Sequence, residues 1–377
     1  MKKLKQIIYC TVTNDLNYDQ RMQRICTTLA VEGGYRVVLV GRSLPTSKPL
    51  FEQVFEQKRL NCWAKRGKFF YIEYNIRLFF FLLFRRFDAV CSVDLDTILA
   101  GSYAAWFRRK ACIYDAHELF TEVPEVVARP RTQRIWAWVA RHTIPKTTAA
   151  YTVCESLAAY FEAHYKRKFG LVRNLPFALK RSENEQILPT GDAPIIMLYQ
   201  GALNDGRGIG ELLSALPNLS PRLQLWLAGE GDLSQDLRAQ TEALGLQNRV
   251  KFFGFVAPVA LKNLTAQCHI GLNLLENKGL NYYYSLANKF FDYIQAEKPA
   301  LNMDFPEYRH LCAQYPVGAL LADLSQNSMK DAVNQLLTPD FYAACVAACT
   351  TAREVFTWEN EAPQLLAIYA QAMPKKA

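Results

Sequence analysis

Short apolar runs alternate with helix-like stretches along this chain, and the alternation stops once and then restarts. Ile7 to Val12 reads as a strand, Gln20 to Glu32 as a helix, and Arg36 to Val40 as a second strand ending at Gly41. Runs at Ala89–Val93, Ala111–Tyr114 and Ala150–Val153 follow, each ahead of a helical pattern. The stretch from Lys180 to Ala193 is polar, carries Pro189 and Gly191, and reads as a linker. Beyond it lie strands at Ile195–Tyr199, Gln224–Ala228, Val250–Phe253 and Ile270–Leu274, a helix through Lys289–Ala296, and a strand opening at Pro299. Strand–helix alternation of this kind builds a parallel, doubly wound sheet. The expected fold class is therefore α/β, with two Rossmann-like domains facing across a cleft. The expected divisions are 1–180, a linker at 181–193, a second domain at 194–350, and C-terminal helices over 351–377 that pack back on the first domain. A chain of 377 residues can hold two such cores.

Composition narrows the class. Apolar residues make up 50% and charged residues 21%, which excludes a disordered or collagen-like chain. Net charge is +9, which suggests an anionic partner. The excess is confined to one half: residues 1–180 carry 29 Lys+Arg against 15 Asp+Glu, and residues 181–377 carry 15 against 20. The ten cysteines show no zinc-type pairs and sit mostly in apolar runs, so they read as buried thiols of a reduced, cytoplasmic protein. The N-terminal MKKLKQIIYCTVTND starts basic and turns apolar, but its apolar run is too short for a signal peptide and reads as a first strand. No run is long enough for a transmembrane helix; the nearest is Leu78–Phe84, flanked by Arg77, Arg85 and Arg86.

Ligands of open parallel sheets bind beyond the carboxyl ends of the strands. Four segments there carry chemistry. Tyr199–Gly210 is glycine-rich between a strand and a helix. Gly201, Gly206 and Gly208 let backbone amides approach a phosphate, the helix start favours an anion, and Arg207 adds a cation. It lacks the G-x-G-x-x-G spacing of a dinucleotide site. In Tyr282–Tyr293, Asn288 suits a helix N-cap or first turn, and Lys289 and Asp292 share a helix face. Lys289 suits a phosphate and Asp292 the ribose hydroxyls. His117 follows a strand end between carboxylates, within Asp115–Glu118. Asp94-Leu95-Asp96 is a D-x-D triplet, a weak metal signal, and the five histidines show no paired ligand spacing, so no metal site is expected.

Taken in order, these segments resemble the GT-B glycosyltransferases, in particular the retaining family 4, the glycosyl transferases group 1. The likeness runs through Asn14–Arg21, Tyr114–Glu118, Tyr151–Ser156 with Asn174, Tyr199–Gly201 with Arg207-Gly208, Leu227–Gly231, Val250–Gly254, and Asn288–Tyr293 with Lys298-Pro299. It implies transfer of a sugar, of hexosyltransferase type, from a nucleotide-diphosphate sugar to an acceptor hydroxyl, with retention and without a metal or other cofactor. His117, Arg207 and Lys289 are the catalytic candidates. Gly201, Gly206, Gly208, Glu230, Glu276, Ser285, Asn288 and Asp292 are the donor-binding candidates. The resemblance has departures. Ala202 stands where the family usually has arginine, and Arg207 where it usually has lysine. Asp292 replaces the second glutamate of the usual pair, and Glu276 lies sixteen residues upstream of it.

The implied setting is cell-envelope glycan or glycolipid synthesis, with a glycan or lipid-linked acceptor. The implied location is cytoplasmic, peripheral on the inner face of the cytoplasmic membrane. The alternatives are a nucleotide-sugar epimerase of the same fold and a non-catalytic, membrane-associated partner subunit. Nucleic acid is not an expected partner, because the basic residues follow no recognisable motif. Arg77, Arg85, Arg86, Arg108–Lys110 and Lys166–Lys168 suit an anionic membrane surface; the opposing reading buries Leu78–Phe84 as an ordinary helix.

Overall fold

The computed structural model describes residues 5–181 and 187–373; residues 182–186 of the expected linker, and both ends of the chain, lie outside the described residues. The chain forms two compact units, Met1–Asn174 with Glu361–Ala377, and Leu175–Asn360.

The first unit is built on strands β1 (Ile7–Thr11), β2 (Arg36–Arg42), β3 (Glu56–Leu60), β4 (Ala89–Val93), β5 (Ala111–Ala116), β6 (Ala149–Thr152) and β7 (Gly170–Leu171). They form one sheet in the order β3-β2-β1-β4-β5-β6-β7, and every pair is parallel. All five residues of β4 are buried, as expected for a strand covered on both faces. The edge strand β3, Glu-Gln-Lys-Arg-Leu, is polar and half open, which blunts an unpaired edge. The helices are α1 (Gln20–Val31), α2 (Gly67–Leu83), α3 (Asp94–Arg108), α4 (Pro124–Val127), α5 (Pro130–Thr143) and α6 (Glu155–Tyr165). Asp19 caps α1 by accepting from the Met22 amide, and α3 carries Asp94 and Asp96 in its first turn, where the helix dipole favours them.

The Leu78–Phe84 run divides between the two readings. Leu78 and Leu82 are fully buried with Phe70, Tyr74 and Phe87 in the core, while Phe80 and Phe84 face solvent. A 3.6-residue period allows this: residues four apart stack on the inner face, Phe80 turns outward, and Phe79 and Phe81 lie between, packed partly against the core.

The second unit repeats the plan with β8 (Ile195–Gln200), β9 (Leu223–Ala228), β10 (Val250–Gly254), β11 (Ile270–Asn273), β12 (Ala300–Met303) and β13 (Gly318–Leu321). The sheet order is β10-β9-β8-β11-β12-β13, again all parallel. Its helices are α7 (Ile209–Ala215), α8 (Ser234–Ala243), α9 (Pro258–Gln267), α10 (Leu280–Tyr283), α11 (Asn288–Gln295), α12 (Pro306–Gln314), α13 (Gln326–Leu336) and α14 (Pro339–Val355). Leu198, Ala228, Cys268, Tyr293 and Ala300 pack together at its centre. The last helix, α15 (Trp358–Ala372), carries the chain back into the first unit at Glu361. There the Tyr369 hydroxyl lies 3.3 Å from that of Tyr151, and Ile368 lies against Gly170. All ten cysteines are free and buried.

One ion pair sits inside the first unit. Arg21 Nη2 and Nε donate to Asp115 Oδ1 and Oδ2 at 2.8 and 3.3 Å, and Nη1 donates to the Val172 carbonyl at 3.2 Å. The two side chains are 5% and 0% exposed. Asp115 raises the affinity of the Arg21 guanidinium for its proton against the desolvation that opposes it. Removing one partner strands the other charge away from water, so Arg21→Met should lower unfolding stability by about 3–5 kcal/mol. Urea unfolding of the variant checks this; an unchanged midpoint would mean that the pair carries no such burden.

Candidate active site

The carboxyl ends of β8, β9 and β11 meet the start of α11, and the second unit's candidate residues gather there. Tyr199 and Gln200 end β8, and Gly201 follows with φ 138°, its amide donating to the Ala228 carbonyl at 3.0 Å. The loop after β9 passes so close that a Cβ on Gly229 would stand 1.9 Å from the Gly201 carbonyl oxygen. Only glycine fits there, and the contact holds the two strand ends together.

Lys289 rises from the first turn of α11 over this ledge. Its Nζ lies 3.8 Å from the centre of the Tyr199 ring, and a Cβ on Gly201 would be 3.5 Å from it. Burial among these groups holds the ammonium well below the usual lysine range; Arg207 lowers it further and Asp292 opposes the shift. Asp292, three residues on, accepts from Gln200 Nε2 at 2.8 Å, and Gln200 Oε1 accepts from Thr265 Oγ1 at 2.8 Å. Gln200 thus fixes one edge of the carboxylate. Asn288 is the exposed first residue of α11 rather than its N-cap, which is Ala287.

The loop Ala202–Gly208 leads into α7, whose N-cap is Gly208 at φ 68°. Gly206, at φ 79°, lies under Tyr282, and a Cβ there would come within 2.9 Å of the ring. Arg207 stacks its guanidinium 5.3 Å from the centre of the same ring, and its buried Nε has no hydrogen-bond partner among the described residues. Glu276 helps to close this loop: its amide donates to the Gly206 carbonyl at 2.8 Å, and Lys278 bridges Glu276 and Asp205 at 3.0 and 2.9 Å. The Ser285 amide donates to the Tyr282 carbonyl at 3.1 Å, while its buried hydroxyl has no partner among the described residues.

The structure therefore brings together Gly201, Gly206, Arg207, Gly208, Glu276, Lys289 and Asp292, with Ser285 beside Tyr282. The Glu230 carbonyl accepts the Leu203 amide of the loop after β8 at 3.3 Å, but the Glu230 side chain is exposed and paired with Arg238 at 3.1 Å. Tyr199, Gln200, Tyr282 and Lys278 are members that residue-type reasoning did not assign. A polar Gln at the last position of an apolar strand was the one available signal for Gln200.

His117 lies in the first unit, at the end of β5. Its amide and that of Glu118 donate to Asp94 Oδ1 at 2.9 and 3.2 Å. Asp94 opens α3 at φ 54°, a left-handed conformation that aspartate tolerates better than most residues. Burial raises its carboxyl well above the usual range, with Glu118 adding to the shift. Asp96 is pushed up to about 7 by burial, against the Thr13 hydroxyl that donates to it at 2.5 Å. These groups lie where β1 and β4 part in opposite directions, the switch point at which such sheets take ligands.

Residues 180–347 match the model of the family described as glycosyl transferases group 1. No curated protein sequence matches the chain. Among solved structures, the sucrose-phosphate synthase of Thermosynechococcus elongatus is similar at TM-score 0.77 and 15% identity, over 97% of this chain and 99% of that one. HepE of Anabaena, solved with UDP-glucose, is similar at TM-score 0.74 and 15% identity over the same shares. WaaG, a glycosyltransferase involved in lipopolysaccharide biosynthesis, is similar at TM-score 0.70 and 18% identity, over 98% of this chain and 100% of that one.

Two imidazoles make a pH prediction. Burial lowers His117 to about 4, helped by Arg21 and Arg24 and opposed by Asp115. Burial also lowers His269 to about 4, helped by Lys298, and its Nδ1 accepts the Ile196 amide at 3.0 Å, which a protonated nitrogen could not do. The unfolded chain binds these protons near 6.5, so their stabilisation is complete above that pH and is lost as pH falls to about 4. Proton NMR should show both rings neutral at pH 5.5; a ring that titrates near 6.5 would contradict its assignment.

Proposed function

We propose that this chain, whose residues 180–347 match the model of the glycosyl transferases group 1 and whose fold is GT-B, moves a sugar from a nucleotide-diphosphate sugar to an acceptor hydroxyl. The observation that carries the reading is the pair of cations at the end of the second sheet. Burial first and Arg207 next depress the proton affinity of Lys289, and Arg207 keeps a buried N–H with no acceptor among the described residues. A diphosphate bound between them would supply the missing negative charge. The amides of the Gly206–Gly208 loop and the start of α7 would add further donors.

The chemistry follows from that charge. Breaking the sugar–phosphate bond builds negative charge on the leaving diphosphate and positive character on the sugar. Cations already fixed beside the diphosphate stabilise the transition state without reorganising. We assign that role to Arg207 and Lys289, in place of a divalent ion. Asp292, its edge held by Gln200, is placed to accept ribose hydroxyls, and Glu276 borders the same loop. His117, neutral at ordinary pH, would contact the donor sugar as a hydrogen-bonding group rather than as a cation. Retention, with the acceptor hydroxyl attacking on the leaving-group face, is what the resemblance to the family suggests.

The similarity to HepE, solved with UDP-glucose, and to WaaG, involved in lipopolysaccharide biosynthesis, supports a UDP-hexose donor and an envelope glycan or glycolipid acceptor. The basic first half supports an acceptor, or a surface carrying it, that is anionic, at the cytoplasmic face of the membrane.

Screening UDP- and GDP-sugars for thermal stabilisation, followed by turnover assays on those that bind, tests this. Arg207→Ala and Lys289→Ala should each lower kcat by about 10²–10³-fold, a loss of about 2.7–4 kcal/mol. Lys289→Ala should not lower the melting temperature, because the ammonium is costly where it lies. EDTA should leave turnover unchanged. Near-normal turnover in both variants would remove the assignment, and a sugar converted without any acceptor would favour an epimerase.

A further inference from the structure

The outer side of α2 is apolar where a surface helix is ordinarily charged. Phe70, Tyr74, Leu78 and Leu82 point into the core. On the other side Phe69, Ile72, Ile76 and Phe80 follow at helical spacing, with Phe84 just beyond, and each is at least half exposed. The helix has a single acidic residue, Glu73, and Arg77 neutralises it at 2.7 Å. Next to α2, the end of α3 exposes Trp106 and Phe107, and the Phe107 ring lies 5.9 Å from Phe79. α5, which packs on α3, adds exposed Ile135 and Trp138. Monomer surfaces rarely keep so many large apolar side chains together without a use for them.

The rim of this patch is positive. Lys65, Arg66 and Lys68 stand at one end of α2, Arg85 and Arg86 at the other, and Arg108, Arg109 and Lys110 at the end of α3, all exposed. α5 carries three arginines and no acidic residue. Two hollows adjoin the rim and share Arg85. One, of about 650 Å³ between β3 and α2, is lined by Ile76, Phe80 and Phe84 on one hand and Lys58, Arg77 and Arg85 on the other. The second, of about 1150 Å³, is lined by Lys5, Arg36, Arg85, Arg86, Arg109 and Lys110, with Asp88 as its acidic member. A hollow with aromatic and guanidinium walls suits a group that is apolar at one end and anionic at the other.

We propose that the outer faces of α2, α3 and α5 form a docking surface for an anionic lipid bilayer. The aromatic side chains enter the interface, and the arginine-rich hollows take the phosphates of the headgroups. Aromatic and basic side chains arranged this way lie in a membrane surface rather than across it, and no described helix is long and apolar enough to cross. Charge decides between a bilayer and a second copy of the chain. Two copies meeting through this patch would bring like-charged rims together, whereas an anionic leaflet neutralises them. The surface would bring a lipid-linked acceptor to the transferase read above and in that respect rests on that reading; binding to lipid does not require it.

The test is co-flotation of the purified full chain with phosphatidylcholine vesicles, with and without phosphatidylglycerol, at low and high salt. The chain should float with the anionic vesicles at low salt and stay behind with neutral ones. A Phe80→Ser, Phe84→Ser, Trp106→Ser variant and an Arg85→Glu, Arg86→Glu, Arg109→Glu variant should each bind about tenfold less. Both should keep the wild-type melting transition and the wild-type thermal response to nucleotide sugar. No flotation with anionic vesicles overturns the proposal, as does flotation that neither variant weakens. So does a wild-type dimer that the serine variant alone dissociates. If no protein responds to nucleotide sugar yet the flotation pattern holds, the transferase reading fails and the docking surface stands.

Discussion

A parallel strand covered on both faces has little room for polar side chains before its carboxyl end, and Ser92, Asp115 and Gln200 all stand in the last two positions of their strands. That constraint orders both units. β4 is buried at every residue, and Leu198, Leu225 and Leu227 are fully enclosed. Chemistry therefore gathers on the turns: Thr13, Asp94, Asp96 and His117 in the first unit, Gln200, Gly201, Arg207 and Lys289 in the second. Each turn is held by contacts specific to it, so that the sheet supplies position and the loops supply charge. The Gly201–Gly229 approach does this for β8 and β9, and the Asp205–Lys278–Glu276 bridges do it for the loops after β8 and β11.

The two units use electrostatics in opposite ways. The second is negative overall, yet its strand ends hold two cations without a full complement of anions. The first is strongly positive, yet its strand ends hold carboxyls that burial drives toward the neutral form. Local placement overrides net charge in both. An excess of one sign on the outside says which surfaces attract a unit from a distance; the minority sign within says what is recognised on arrival.

Much of this was legible in the sequence, for a physical reason. Strands covered on both faces are continuous apolar runs, so β1, β2, β4, β8, β9 and β11 stand out within a residue or two of their observed ends. β3 did not, because an edge strand reading Glu-Gln-Lys-Arg-Leu has neither an apolar run nor alternation. The glycine loop and the Lys289–Asp292 face were visible as residue types at set spacings. Tyr282 under Arg207 and Gln200 on Asp292 were not, since both depend on which loops the fold brings together. The Leu78–Phe84 run is the mixed case: seven consecutive apolar residues hide a period that only the observed burial resolves into an inner and an outer face.

The first unit is discontinuous in sequence, with the second inserted between Asn174 and Glu361. Tyr369 and Ile368 meet β6 and β7 from a piece of chain made about two hundred residues later. On the ribosome, the inserted unit has all of its residues before the first receives its last ones. The early unit must wait, with the packing sites around Tyr151 and Gly170 unfilled, until α15 emerges. Damage near the end of the chain would accordingly be felt by the half that was synthesised first.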